Sequence, residues 1–81
     1  MLKGNEYIIE SSYLRGLGKY EEAIDIIEKN INNIDSTIQT VAWLSAFYVA
    51  RDMKNINLAK KYAILVAEDD NNIPSIQDYL N

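Results

Sequence analysis

With 81 residues and a formal net charge of −4, the chain can form one small domain with a thin core. It contains neither cysteine nor histidine, which excludes disulfides, the usual zinc sites and histidine-based acid–base catalysis. The mild acidity disfavours nucleic acid and anionic membranes as partners, and no apolar run is long enough to span a bilayer. We therefore expect a cytoplasmic domain that is not an enzyme and holds no metal or cofactor.

The first two predicted elements are helices over residues 5–17 and 20–32. Gly18 lies between them, and glycine readily takes the left-handed conformation that ends many helices. The two glutamates that open the second helix are interpreted as partners of the helix dipole rather than as a metal or acid–base site. Four apolar residues of this helix share one face at helical spacing: Ala23, Ile24, Ile27 and Ile31.

The third predicted helix begins at Ser36 and continues to about Met53. Ser36 followed three residues later by Gln39 has the pattern of a capping box. The helix is apolar on nearly every side, as expected for a helix packed between neighbours. Trp43, its largest side chain, is therefore predicted to be substantially buried.

A fourth helix is predicted over residues 57–69, and Pro74 opens a short final helix over residues 74–80. The chain also resembles itself at an offset of 36 residues. Such a period is typical of a stacked array of helical units. Three pairs match at this offset: Tyr7 with Trp43, Tyr20 with Ile56, and Ala23 with Ala59.

The segment from Gly18 to Ile24 reads Gly-Lys-Tyr-Glu-Glu-Ala-Ile, which combines a turn glycine, an aromatic residue, acidic residues and a small alanine. In these residues the chain resembles a tetratricopeptide repeat, a helix-turn-helix unit of a family that binds proteins and peptides. The resemblance implies an all-α fold in which two antiparallel helical hairpins stack as one domain over residues 1–81. The units would cover residues 5–34 and 36–70, followed by a short C-terminal capping helix over residues 74–80.

The chain also departs from the family pattern. Its unit is two residues longer than usual, and Glu10 stands where the family usually has leucine. Ser11 is small at the position of close helix approach, but its counterpart Phe47 is large. Two generic helical hairpins without repeat ancestry are the alternative.

The resemblance also implies a binding groove, because the family lines its concave face with the first helix of each unit. The lysine, asparagine and arginine clamp that the best-known subclass uses for a C-terminal carboxylate is absent. An apolar or amphipathic helical segment of a protein partner is therefore the better expectation. For Ile8 and Leu44, the alternative role is packing in the protein's own core. The mapped partner-binding residues are Ile8, Ser12 and Arg15 on the first helix and Leu44, Tyr48 and Arg51 on the third.

The leading functional expectation is a protein–protein interaction module, a small chaperone or an adaptor. A self-associating structural module, such as a homodimer, or a piece of a longer helical array is the alternative. An RNA-binding helical repeat is less favoured, because the only basic group is a small one near Lys60. If the chain self-associates or depends on a partner for stability, further contact residues are expected in the C-terminal segment: Ile76, Tyr79 and Leu80.

Overall fold

The computed structural model of the chain describes residues 2–80, and all regular secondary structure in that range is helical. The prediction of an all-α chain is confirmed, whereas the stacking of its helices as tetratricopeptide hairpins stays a prediction. No helix within residues 2–80 has the length and apolar character needed to cross a membrane. The α-helices of this range are α1 (Asn5–Gly16), α2 (Tyr20–Asn30), α3 (Gln39–Asp52) and α4 (Ile56–Ala67). Short 3₁₀ segments cover Ile31–Asn33, Ser36–Ile38 and Pro74–Tyr79.

Helix α3 lies at the centre of the core. It packs against α1, α2 and α4, which explains why its sequence is apolar on nearly every side. Several of its inward-facing residues are small, so neighbouring helices can approach it closely. The buried residues of α3 are Ala42, Ser45, Ala46, Phe47, Val49 and Ala50.

The largest fully buried side chains are Tyr62 on α4 and Phe47 on α3. Trp43 is only partly buried, and its ring stacks on that of Tyr62 with the ring centroids 5.6 Å apart. The Tyr62 hydroxyl donates a hydrogen bond of 2.9 Å to Glu28 Oε1 on α2. Burial and this bond raise the pKa of Tyr62 well above its usual value. The aromatic core is therefore centred on Phe47 and Tyr62, and Trp43 lies at its edge.

The turns that follow α1 and α3 have the same hydrogen-bond pattern. Each is a Schellman motif, in which a residue in the left-handed conformation ends the helix. That residue is Gly18 after α1, with φ of 75°, and Lys54 after α3, with φ of 61°. The two motifs lie 36 residues apart, at the offset seen in the sequence. Their N–H to carbonyl bonds are Gly18 to Arg15 (3.0 Å), Lys19 to Leu14 (2.9 Å), Lys54 to Arg51 (3.0 Å) and Asn55 to Ala50 (3.0 Å).

The capping box predicted at Ser36 is wrong. The preceding residue, Asp35, is the cap: its carboxylate accepts hydrogen bonds from the Thr37 N–H at 2.9 Å and from the Thr37 hydroxyl at 2.6 Å. These bonds lower the pKa of Asp35. The Gln39 side chain instead donates to two carbonyl groups of the preceding loop, each at 3.1 Å. The chain therefore makes a 3₁₀ turn first, and the α-helix begins only at Gln39.

The N-terminal turn is hydrogen-bonded to the loop between α2 and α3. The Asp35 N–H donates a 2.7 Å hydrogen bond to the Lys3 carbonyl. Gly4 is buried at this contact and has a φ of 86°, and a Cβ atom there would lie 2.6 Å from the Ile34 Cα atom. Both the space and the backbone conformation therefore require glycine at this position.

The predicted C-terminal capping helix is a 3₁₀ segment, Pro74–Tyr79, which packs against α4. Its Ile76 side chain is completely buried, and the ring of Tyr79 meets Phe47 edge-on with the centroids 5.1 Å apart. The prediction of Ile76 as a partner contact is wrong, because this side chain is buried in the protein's own core.

Candidate functional site

A shallow groove of about 270 Å³ lies between α1 and α3, hereafter the α1/α3 groove. Five of the six residues mapped from the sequence line it. The sixth, Arg51, lies beside it with its guanidinium carbon 4.8 Å from the centroid of the Tyr48 ring. The lining residues are Ile8, Ser12 and Arg15 from α1 and Val41, Leu44, Ser45 and Tyr48 from α3.

Helical spacing explains why these residues come together. The α1 residues follow one another at intervals of four and three. On α3, Leu44 and Ser45 each lie three or four positions from both Val41 and Tyr48, so each set occupies one helix face. Since α1 packs against α3, the two faces form the opposite walls of one trough. Ile8 is 8% exposed, whereas Val41 is 50% exposed. The groove therefore has a buried apolar floor and an accessible apolar edge.

One end of the groove is positively charged. The Arg15 Nε atom lies 2.6 Å from Asp52 Oδ2, and the Arg51 Nε atom lies 3.9 Å from Asp52 Oδ1. One carboxylate thus faces two guanidinium groups, which leaves an excess of positive charge. The side chains of Arg15 and Asp52 are about one-third exposed, so this pair is in contact with solvent.

The Tyr48 side chain connects the groove to the C-terminal segment. Its hydroxyl oxygen lies 3.0 Å from the Ser75 Oγ atom, at hydrogen-bond distance. The two guanidinium carbons, of Arg15 and Arg51, lie 5.3 Å and 4.8 Å from the centre of its ring. The hydroxyl group of Tyr48, one of the residues mapped to partner binding, therefore already has a partner within the chain.

The six residues mapped from the sequence leave out the lining residues Val41 and Ser45, and sequence reasoning also missed Asp52 and Ser75. A signal for Asp52 was present, because a carboxylate in the last turn of a helix is disfavoured by the helix dipole. An acidic residue at such a place needs a nearby cation, and Arg15 supplies it. Ser75 gives no such signal, since its role depends only on how the C-terminal segment packs.

Two other concavities have larger volumes but are less suited to binding an apolar segment. One of about 400 Å³ surrounds the turn between α1 and α2, and one of about 380 Å³ lies along the outside of α1 and α2. About half of the residues that line each of them are exposed and charged, among them Lys19, Glu21 and Glu22 in the first and Glu10 and Lys29 in the second. Within residues 2–80, no group of three acidic, histidine or cysteine residues is placed to hold a metal ion.

Comparison of the chain with protein-family models, with curated proteins and with solved structures finds no match. The resemblance to tetratricopeptide repeats therefore stays a prediction from the sequence.

Proposed function

We propose that the chain is a protein–protein interaction module, acting as a small adaptor or chaperone, that binds an amphipathic helical segment of a partner in the α1/α3 groove. The observation that supports this most directly is the meeting of two helix faces in one open trough with an apolar floor and a cationic end. Helix-in-groove recognition uses this combination of apolar anchors and a charged rim.

The size of the groove favours side chains over a small molecule. Its volume of about 270 Å³ lies just below the range of about 300–1,000 Å³ that is typical of small-molecule pockets. A trough of this size takes one or two anchoring side chains of a helix that lies across it. Val41, half exposed at the edge, is then covered when the segment binds.

The charge of the groove favours a segment with an acidic end. A carboxylate of the partner has to compete with Asp52 for the two arginines. Arg51 is the more available, because it lies 3.9 Å from Asp52, whereas Arg15 lies 2.6 Å away. We therefore assign recognition of the acidic end mainly to Arg51, with Arg15 held in place by its ion pair.

The internal similarity of the chain supports the tetratricopeptide-like arrangement within this proposal. Ala23 and Ala59 occupy equivalent places after the two Schellman turns, and both are completely buried. Each donates its N–H to the residue four positions earlier, at 3.0 Å and 2.9 Å. The two helix pairs then act as equivalent units, and the α1/α3 groove is the trough between their first helices.

The test uses two synthetic amphipathic peptides with the same apolar residues at intervals of three and four. One ends in glutamates and the other ends in lysines. Titration into isotope-labelled protein, followed by amide NMR shifts, should locate both on Ile8, Val41 and Leu44. The glutamate peptide should bind more tightly, and the difference should shrink as salt is added.

Variants distinguish the apolar contacts of Leu44 and Tyr48 from the charged contact of Arg51. The double variant Leu44→Ala, Tyr48→Ala should weaken binding by about 2 kcal/mol or more, whereas Arg51→Ala should mainly slow association and reduce its salt dependence. Ile64→Gln changes an exposed residue of α4 that does not line the groove, so it is the matched control and should leave binding unchanged. The proposal fails if the double variant, shown by circular dichroism to be folded, binds as wild type does, or if neither peptide shifts the groove residues.

A further inference from the structure

Helix α1 carries a second apolar face that is separate from the groove. Ile9, Tyr13 and Leu17 follow one another at intervals of four, and their side chains are 58%, 65% and 53% exposed. Glu6 and Glu10 lie on the same side of the helix and are also exposed. Neither glutamate takes part in an ion pair among residues 2–80. These five residues are named the acidic α1 face.

Helix α4 has a comparable face of the opposite charge. Ile56 and Ile64 are 62% and 53% exposed, and Lys60 lies midway between them. Lys61 lies beside them and makes one solvent-exposed contact of 3.5 Å with Glu28, while Lys60 makes no ion pair within the described residues. These four residues, Ile56, Lys60, Lys61 and Ile64, are named the basic α4 face.

The two faces are equal in length, and their lysines and glutamates are opposite in charge, with Glu68 following Ile64 at the end of the basic α4 face. Ile9 to Leu17 and Ile56 to Ile64 each cover eight residue steps, or about 12 Å of helix. A symmetric contact of two acidic α1 faces would bring four carboxylates together, and a symmetric contact of two basic α4 faces would bring four ammonium groups together. Like charges brought together in an interface are costly. Contact between the acidic face of one copy and the basic face of another pairs opposite charges and covers both apolar rows.

We propose that the chain self-associates head to tail, with the acidic α1 face of one copy packed on the basic α4 face of the next. Because the two faces differ, each copy in a pair keeps one face free, and the contact is open-ended. The α1/α3 groove takes no part in it, so this proposal stands independently of the proposed function. The faces are smaller than the 20–30 residues a side of a stable interface, so the association is weak, with a Kd of about 0.1–1 mM.

Sedimentation velocity over a concentration series up to about 1 mM tests this in wild type and in two variants. One variant, Ile9→Gln, Tyr13→Gln, blocks the α1 face, and the other, Ile56→Gln, Ile64→Gln, blocks the α4 face. Both changes are neutral in charge and lie at exposed positions, so circular dichroism should show an unchanged fold. Each variant alone should associate at least tenfold more weakly than wild type.

The mixture of the two variants is the decisive sample. Each retains the face that the other lacks, so the mixture should form one-to-one dimers that do not grow further. Added salt should weaken the association of wild type. Val41→Gln, in the groove, is the control and should associate as wild type does. A wild type that stays monomeric up to about 1 mM overturns the proposal. So does a blocked variant that associates by itself as strongly as wild type, or a mixture that stays monomeric.

Discussion

Replacing Lys54 with glycine should stabilise the protein, because Lys54 ends α3 in the left-handed conformation with φ of 61°. This conformation costs a residue with a side chain about 1–2 kcal/mol, whereas glycine adopts it freely. Glycine also makes the unfolded chain more flexible, which offsets about 0.5–1 kcal/mol of this gain. The net expectation is a rise in the free energy of unfolding of about 0.5–1 kcal/mol, or about 2–8 °C in Tm for a domain of this size.

Three matched substitutions isolate the backbone effect. Lys54→Ala removes the charge but keeps a Cβ atom, so it should leave stability nearly unchanged. Gly18→Ala, at the equivalent turn with φ of 75°, makes the reverse change and should destabilise the protein by about 0.5–1 kcal/mol, because alanine also makes the unfolded chain less flexible. Gly16→Ala lies two residues earlier, inside α1, where the added Cβ meets nothing within 4 Å beyond its chain neighbours and the backbone of its own helix. It should stabilise the protein by about 0.5–1 kcal/mol, because alanine is the better helix former.

Urea denaturation followed by circular dichroism measures all four variants against wild type, with the slope m checked for constancy. The opposite signs at Gly16 and Gly18 are the sharpest part of the expectation. If alanine shifts stability in the same direction at both positions, or if Lys54→Gly is no more stable than Lys54→Ala, the account of the two turns is wrong.

Two further predictions concern buried positions. Burial and the Glu28 bond raise the pKa of Tyr62, so the folded protein holds this proton more tightly than the unfolded chain does. The contribution of this proton to the free energy of unfolding is complete below about pH 10 and is lost as the pH rises further. In urea titrations between about pH 8 and pH 11, the advantage of wild type over Tyr62→Phe should thus shrink by up to about 1.4 kcal/mol per pH unit above pH 10, and a constant difference would contradict this. Gly4→Ala should cost about 2–4 kcal/mol, through its positive φ and the overlap with Ile34, and a thermal melt within 2 °C of wild type would rule that out.

The helices could be predicted from the sequence because their signals are local. The apolar face of α2 repeats at helical spacing, and Gly18 marks the end of α1 without reference to the rest of the fold. The start of α3 could not be placed as well, since Asp35 and Ser36 are both good caps. In the structure Asp35 is the cap, and its N–H is also bonded to the Lys3 carbonyl, in a segment far away in the chain.

Some features of the candidate groove could likewise be predicted from the sequence, and others could not. Its walls could be predicted, because residues three and four apart on a helix share a face whatever the tertiary structure. The pairs Arg15 with Asp52 and Tyr48 with Ser75 could not, because they join side chains 37 and 27 positions apart. Such pairs form only where helix packing brings them together, and no periodic pattern records them.

The hydrogen bond between Tyr48 and Ser75 makes the groove and the C-terminal 3₁₀ segment thermodynamically linked. A bound segment that draws the Tyr48 hydroxyl toward itself would break this bond and loosen the Pro74–Tyr79 segment, whereas one that leaves the bond intact would tighten it. If binding in the groove changes the equilibrium for release of this segment by some factor, then release of the segment changes the affinity of the groove by the same factor. Amide hydrogen exchange in the last turn of the protein would thus report on occupancy of a site on another helix.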